Sequence, residues 1–204
     1  ATSADGSTTT QSYTINVSDM NESGATAITD SNASADSVAE NALVGTEVGI
    51  TAFSDDADGS DTISYSLDDN DGGRFTIDAA TGVVTVAAAI DREADGATRS
   101  ITVRATSSDG SFNTAVMTVN LNDVDEFDVG AVTDSDGIGN AVDENAANGT
   151  VVGVTALASD ADATNNTITY TLDDNAGGRF TINGTTGVVT VADGTLLDRE
   201  AAAS

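Results

Sequence analysis

The stretch "SYSLDDNDGGRFTIDAATGVVTVA" at residues 64–87 returns as "TYTLDDNAGGRFTINGTTGVVTVA" at residues 169–192, each copy alternating apolar and polar side chains between turn signals. Alternation of period two marks half-buried strands, and the Asp, Asn and Gly clusters mark the reversals between them. The duplication extends to both sides. "VAENALVGTEVGITA" at 38–52 returns as "VDENAANGTVVGVTA" at 142–156, "DREA" at 91–94 returns at 198–201, and "ATSADGS" at 1–7 returns as "ATSSDGS" at 105–111. Such self-similarity signals tandem units rather than one large domain.

Strands are expected near 46–53, 62–67, 74–78 and 82–86. "ATRSITVRATS" turns Ile101, Val103 and Ala105 inward and Thr102 and Arg104 outward, and "TAVMTVNL" sets Ala115, Met117, Val119 and Leu121 on one face. "SYTINV" repeats that pattern with Tyr13, Ile15 and Val17 and is expected to be a strand as well. No stretch carries a long helical period. The fold class expected is all-β, as tandem antiparallel β-sandwiches. The organisation expected is the end of one unit at 1–22, a complete unit at 23–126, and a unit at 127–204 lacking its last two strands. That phasing fits either an excerpt of a longer array or strand exchange between copies.

Composition narrows the function. The 204 residues carry a formal charge of −28 and a pI near 4.1. Nucleic acid and anionic membranes need clustered Lys and Arg, so neither is a partner. No run approaches the length of a membrane span, and no secretory signal is visible at the N-terminus. Regular Val, Ile and Leu alternation argues against an acidic disordered chain. Without Cys there is no disulfide staple, a role that bound metal can fill. Without Cys, His or Lys there is no ordinary nucleophile or base, so no catalytic residue is assigned and an enzyme is not expected. Paired carboxylates can hydrolyse glycosides, yet the five Phe and three Tyr read as core residues, Phe75 and Phe180 first among them. "DGIGN" lacks the Lys of a phosphate loop.

"LNDVDEF" at 121–127 sets Asp123, Asp125 and Glu126 side by side with no basic neighbour. Crowded carboxylates raise each other's proton affinity, and the six Arg (74, 92, 99, 104, 179 and 199) are too few to answer 34 acids. Ca2+ takes six to eight oxygen ligands, carboxylates foremost. An EF-hand does not fit: a loop starting at Asp56 or Asp134 has Leu67 or Asn145 at its twelfth position instead of Glu. The alternative for these acids is a solvated, salt-adapted surface.

"VAEN", "DADG", "GGRFTID", "IDRE", "ATSSDG" and "NDVDEF" occur in that order. The whole chain thereby resembles tandem cadherin repeats, in the form found in large RTX-type surface adhesins of bacteria. The resemblance implies Greek-key, Ig-like sandwiches with a calcium site at each junction. Glu40, Asp91 and Glu93 would come from one unit, Asp123, Asp125 and Glu126 from the linker, and Asp160, Asp162 and Asn165 from the next unit. Half junctions would comprise Asp19, Asn21, Glu22, Asp56 and Asp58, with Asp61 a further candidate, and Glu144, Asp198 and Glu200. Those halves are expected to bind calcium weakly or not at all. The chain departs from the family in lacking Pro and in carrying Ser107 where the family has Asp, with Asp109 two residues later. The implied role is an extracellular spacer on a bacterial cell surface or in a biofilm, its partners being neighbouring repeats. The alternative is a module that binds glycans or other copies of itself.

Overall fold

In the computed structural model, which describes residues 1–18 and 20–202, the chain forms two compact units. The first comprises Ala1–Val38, Ala42–Ala89 and Thr98–Asn120, and the second Ala39–Asn41, Ile90–Ala97 and Leu121–Ser204. No helix among the described residues is long and apolar enough to cross a membrane.

Eight strands run through the first repeat: β1 (Thr29–Asp30), β2 (Ser37–Ala39), β3 (Glu47–Phe53), β4 (Ile63–Asp69), β5 (Phe75–Ile77), β6 (Val83–Val86), β7 (Thr98–Ser107) and β8 (Phe112–Asn122). They make two four-stranded sheets, ordered β1-β3-β6-β5 and β2-β8-β7-β4. The β1–β3, β3–β6, β5–β6, β4–β7 and β7–β8 pairs are antiparallel. These strands lie where alternation predicts them, because every second side chain is buried: Val48, Ile50 and Ala52 on β3, Val84 and Val86 on β6, Ile101, Val103 and Ala105 on β7, Val119 and Leu121 on β8. Phe75, 1% exposed, is among the largest fully buried side chains. Removing that much apolar surface from water supplies the main driving force for the sandwich.

The second repeat contributes β9 (Thr133–Asp134), β10 (Val151–Leu157), β11 (Phe180–Ile182) and β12 (Val188–Val191), in one antiparallel sheet ordered β11-β12-β10-β9. Its core is Val152, Val189 and Val191, with Val142, Val154, Phe180, Ile182 and Leu197 partly buried against it. Gly49 on β3 and Gly153 on β10 both have positive φ, and a Cβ there would lie 2.1 Å and 2.6 Å from a backbone oxygen. Both sit in register shifts, so the same bulge is built twice, at a site only Gly fits.

One strand expectation fails. Residues 12–17 form no strand, and Tyr13, Ile15 and Val17 are exposed. Their counterparts in β8 pair with β7 and β2, whereas "SYTINV" has no strand beside it among the described residues. Extended backbone without a partner ladder has no reason to order. Two short helices, α1 (Arg92–Asp95) and α2 (Arg199–Ala202), fall on the two "DRE" motifs.

Candidate metal centre

Alternation carries the centre's first ligand inward. Val38 of β2 is buried, and two residues on Glu40 is only 3% exposed. Its carboxylate accepts the Val124 N–H at 2.7 Å through Oε1 and the Arg92 N–H at 2.5 Å through Oε2. Asp91 caps α1, its Oδ1 accepting the Ala94 N–H at 2.8 Å. The cap fixes the turn that carries Glu93, whose Oε1 accepts the Ala163 N–H at 2.9 Å. Asp123 follows β8 and accepts the Thr164 hydroxyl. Carboxylate oxygens of Glu40, Glu93 and Asp123 lie within 4.8 Å of one another.

Asp162, 1% exposed, completes the surroundings. Its Oδ1 accepts the Glu126 and Phe127 N–H groups at 3.2 and 3.3 Å, and Asp160 Oδ1 accepts the Asp162 N–H at 3.3 Å. Glu93 Oε2, Asp123 Oδ1 and Asp162 Oδ2 are buried with no hydrogen-bond partner. Arg92 lies beside this group, its guanidinium donating to the Leu121 carbonyl with Nε 3.6 Å from Asp123 Oδ1. Buried anionic oxygens without donors are costly unless a cation meets them. An all-oxygen, carboxylate-rich donor set matches calcium rather than a softer metal, so the residues fit the ion.

The same strain displaces the carboxyls' proton affinities. Burial, then Glu40, raises Glu93. Asp162 is the largest influence raising Asp125. Glu126 is pushed up to about 7 by partial desolvation first and then by Glu40, Glu93 and Asp162. Asp125 and Glu126 stand exposed, as does Asn165, and Asp91 serves as the helix cap; these four lie outside the group formed by Glu40, Glu93 and Asp123.

The arrangement recurs. Asp58, 7% exposed, accepts the Glu22 and Ser23 N–H groups at 3.1 and 2.8 Å, as Asp162 accepts those of Glu126 and Phe127. Asp56, Asp61 and Asp109 bring carboxylate oxygens within 4.8 Å, and Asp56 Oδ2 is buried without a partner. Asp109 joins this group, held by the Asn21 amide at 2.8 Å and by the Ser111 N–H at 2.7 Å. Its motif is displaced by two residues, a signal visible in the sequence but not decisive there. Asp19 lies outside the described residues. Glu144, Asp198 and Glu200 also converge within 4.8 Å, all three exposed, and Glu144 accepts the Arg199 N–H at 3.2 Å as Glu40 accepts that of Arg92.

The sequence profile of the cadherin domain family matches residues 35–122 and 140–204. Among solved structures, the chain is similar to mouse cadherin-23 EC22-24, with 26% identity and a TM-score of 0.68 over 86% of this chain and 56% of that one. The protocadherin gammaB7 EC3-6 cis-dimer structure gives 23% identity and a TM-score of 0.73 over 91% and 46%. Drosophila N-cadherin EC1-4 gives 21% and 0.60 over 80% and 39%. The latter two likenesses concern the fold alone, and the chain spans about half the length of the first structures it matches. No curated protein matches it in sequence.

Proposed function

The chain belongs to the cadherin domain family, and from that premise we propose that its repeats form a calcium-stiffened extracellular spacer of a large bacterial surface adhesin, holding a distal binding domain away from the cell. Cadherin domains are typically extracellular adhesion or spacer modules, not enzymes, and bind Ca2+ in general. In this reading residues 23–126 are one complete repeat, 1–22 the end of another, and 127–204 a repeat without its last two strands. The observation that carries it is the set of buried, unpartnered oxygens on Glu93, Asp123 and Asp162.

Glu40, Glu93, Asp123 and Asp162 would hold the ion, with Asp125, Glu126, Asp160 and Asn165 at the rim. Bound calcium supplies the positive charge that these carboxylates lack. Glu40 and Glu93 come from one repeat, Asp123 from the linker and Asp162 from the next, so a shared cation resists their separation. Without it, mutual repulsion loosens the joint. Asn21, Asp56, Asp58, Asp61 and Asp109, like Glu144, Asp198 and Glu200, would serve the flanking joints.

The test is a thermal melt in millimolar calcium and in excess chelator. Binding at a hundred times Kd adds about 2.7 kcal/mol, so the midpoint rises with calcium, and Asp123→Ala with Glu126→Ala abolishes the rise. An unchanged midpoint returns the acids to surface charge. Small-angle scattering then reads the spacer directly: dimensions indifferent to chelation would end the stiffening proposal.

A second reading, an adhesion module that binds glycans or other copies, is favoured by Phe112, 56% exposed, with the Arg104 guanidinium 4.0 Å from its ring centroid. Calcium-dependent retention on a polysaccharide column, lost in Phe112→Ala, would support it.

A further inference from the structure

Residues 1–18 are the counterpart of residues 105–122, the end of β7 and all of β8. Their turn is already made. In β7–β8 the Ser107 N–H donates to Ser111 O at 2.9 Å, Gly110 N–H to Ser107 O at 3.0 Å and Ser111 N–H to Asp109 Oδ1 at 2.7 Å. At the N-terminus the Ser3 N–H donates to Ser7 O at 2.8 Å, Gly6 N–H to Ser3 O at 3.0 Å and Ser7 N–H to Asp5 Oδ1 at 3.0 Å. Thr2 bridges Thr8 antiparallel, just as Thr106 pairs with Phe112. Beyond the turn the likeness ends in solvent: Ile15 and Val17 are 86% and 92% exposed, against 0% and 1% for Val119 and Leu121.

The second repeat has the reciprocal shape. Val142, Val152, Val154, Leu172, Phe180 and Val189 line an open cleft of about 330 Å3. In the first repeat the counterparts Val48, Ile50, Phe75 and Val84 are at most 1% exposed, in a core that includes Val119 of β8. The edge is reciprocal too. Asp36 O and Glu40 N–H bond Asn120 N–H and Asn122 O at 2.8 and 3.1 Å. Asn140 O and Glu144 N–H occupy the matching positions and make no backbone hydrogen bond among the described residues.

We propose that residues 1–18 of one copy dock as a β-strand in the cleft of the second repeat of another copy, joining chains head to tail. The Asn16 N–H then meets Asn140 O, Ser18 O meets the Glu144 N–H, and Tyr13, Ile15 and Val17 enter the apolar cleft. Main-chain bonds give such strand addition its affinity and alternate side chains its register. The donor comes from another molecule because in its own chain Ile15 stands in solvent while the cleft is open. Charge permits the approach: residues 1–17 hold one carboxylate, Asp5, and the Ala1 ammonium, in a chain of net charge −28. Nothing in the donor supplies the positions of Ile101 and Val103, so the association is weak, on the order of micromolar. A head-to-tail contact does not close on itself and gives open chains.

Sedimentation equilibrium of the 204-residue chain in calcium and moderate salt tests this. The weight-average mass rises with concentration to about twofold or more. The chain with Ile15→Asp and Val17→Asp stays monomeric with an unaltered melting midpoint, since both side chains are exposed. Free peptide 1–18 disperses the native oligomers, and the peptide carrying Ile15→Asp does not. A native chain that remains monomeric at every concentration, association that survives the double substitution, or equal dispersal by the two peptides would each overturn the proposal.

Discussion

Residues 64–87 and 169–192 are nearly the same text with two outcomes. In the first copy residues 63–69 form β4; in the second, residues 167–173 form no strand. Short-range features survive in both. The Tyr65 hydroxyl accepts the Ser54 N–H at 3.0 Å and that of Tyr170 accepts the Ala158 N–H at 3.1 Å, while the backbone N–H of each Tyr donates across its loop at 2.9 Å. What differs is the distant partner, because β4 pairs with β7 and no counterpart of β7 exists among the described residues of the second repeat. Strand formation here is a property of pairing and burial, not of local text.

The largest test of that contrast is a matched pair of cavities. Phe75→Ala should cost about 4 kcal/mol in chemical denaturation, the range for a fully buried ring, and the half-buried Phe180→Ala about half of that or less. Equal losses would break the comparison. Calcium comes next: Asp123→Ala should remove most of the stabilisation by calcium, about 2.7 kcal/mol at a hundred times Kd, whereas Glu200→Ala, in the exposed cluster, should leave it intact. Calcium titration calorimetry separates the two sites.

A smaller effect concerns an ion pair only one copy owns. Asp71, at positive φ, accepts Arg99 Nε at 2.7 Å and Nη2 at 2.5 Å. Its counterpart is Ala176. Asp71→Ala should cost about 1 kcal/mol for a partly exposed pair, and Ala176→Asp should restore nothing, because no counterpart of Arg99 stands opposite. The smallest is pH. Glu126 is raised to about 7 in the folded, calcium-free protein. Folding therefore favours its protonated form, and that contribution is complete below the unfolded value of 4.5 and lost as pH rises through about 7. In chelator the melting midpoint should climb as pH falls through that window. In calcium the trend should reverse, since protons compete for the same oxygens.

Much of this was legible. Val48, Ile50, Val84 and Ile101 announce their burial by alternation, and Glu40, Glu93 and Asp123 announce convergence by falling in motifs that recur. Three readings needed the third dimension. Asp91 shares a motif with Glu93 but points back to cap the helix. Asp109 is displaced in sequence, and the Asn21 amide shows that the turn returns it to the cluster. Tyr13, Ile15 and Val17 alternate as well as any strand yet form none, since alternation specifies a face and cannot supply a neighbour.

Residues 39–41 and 90–97 group by compactness with the second unit, although the first repeat encodes them. The module that is copied and the module that coheres are thus out of phase. Duplication between any position and its counterpart regenerates every pairing, so unequal crossing-over anywhere in the repeat lengthens the array without a privileged seam. Excision is less forgiving. A fragment ended at Glu126, where the repeated text closes, parts Glu40 and Glu93 from Asp162, so a self-sufficient piece must run on past the next "SDADA".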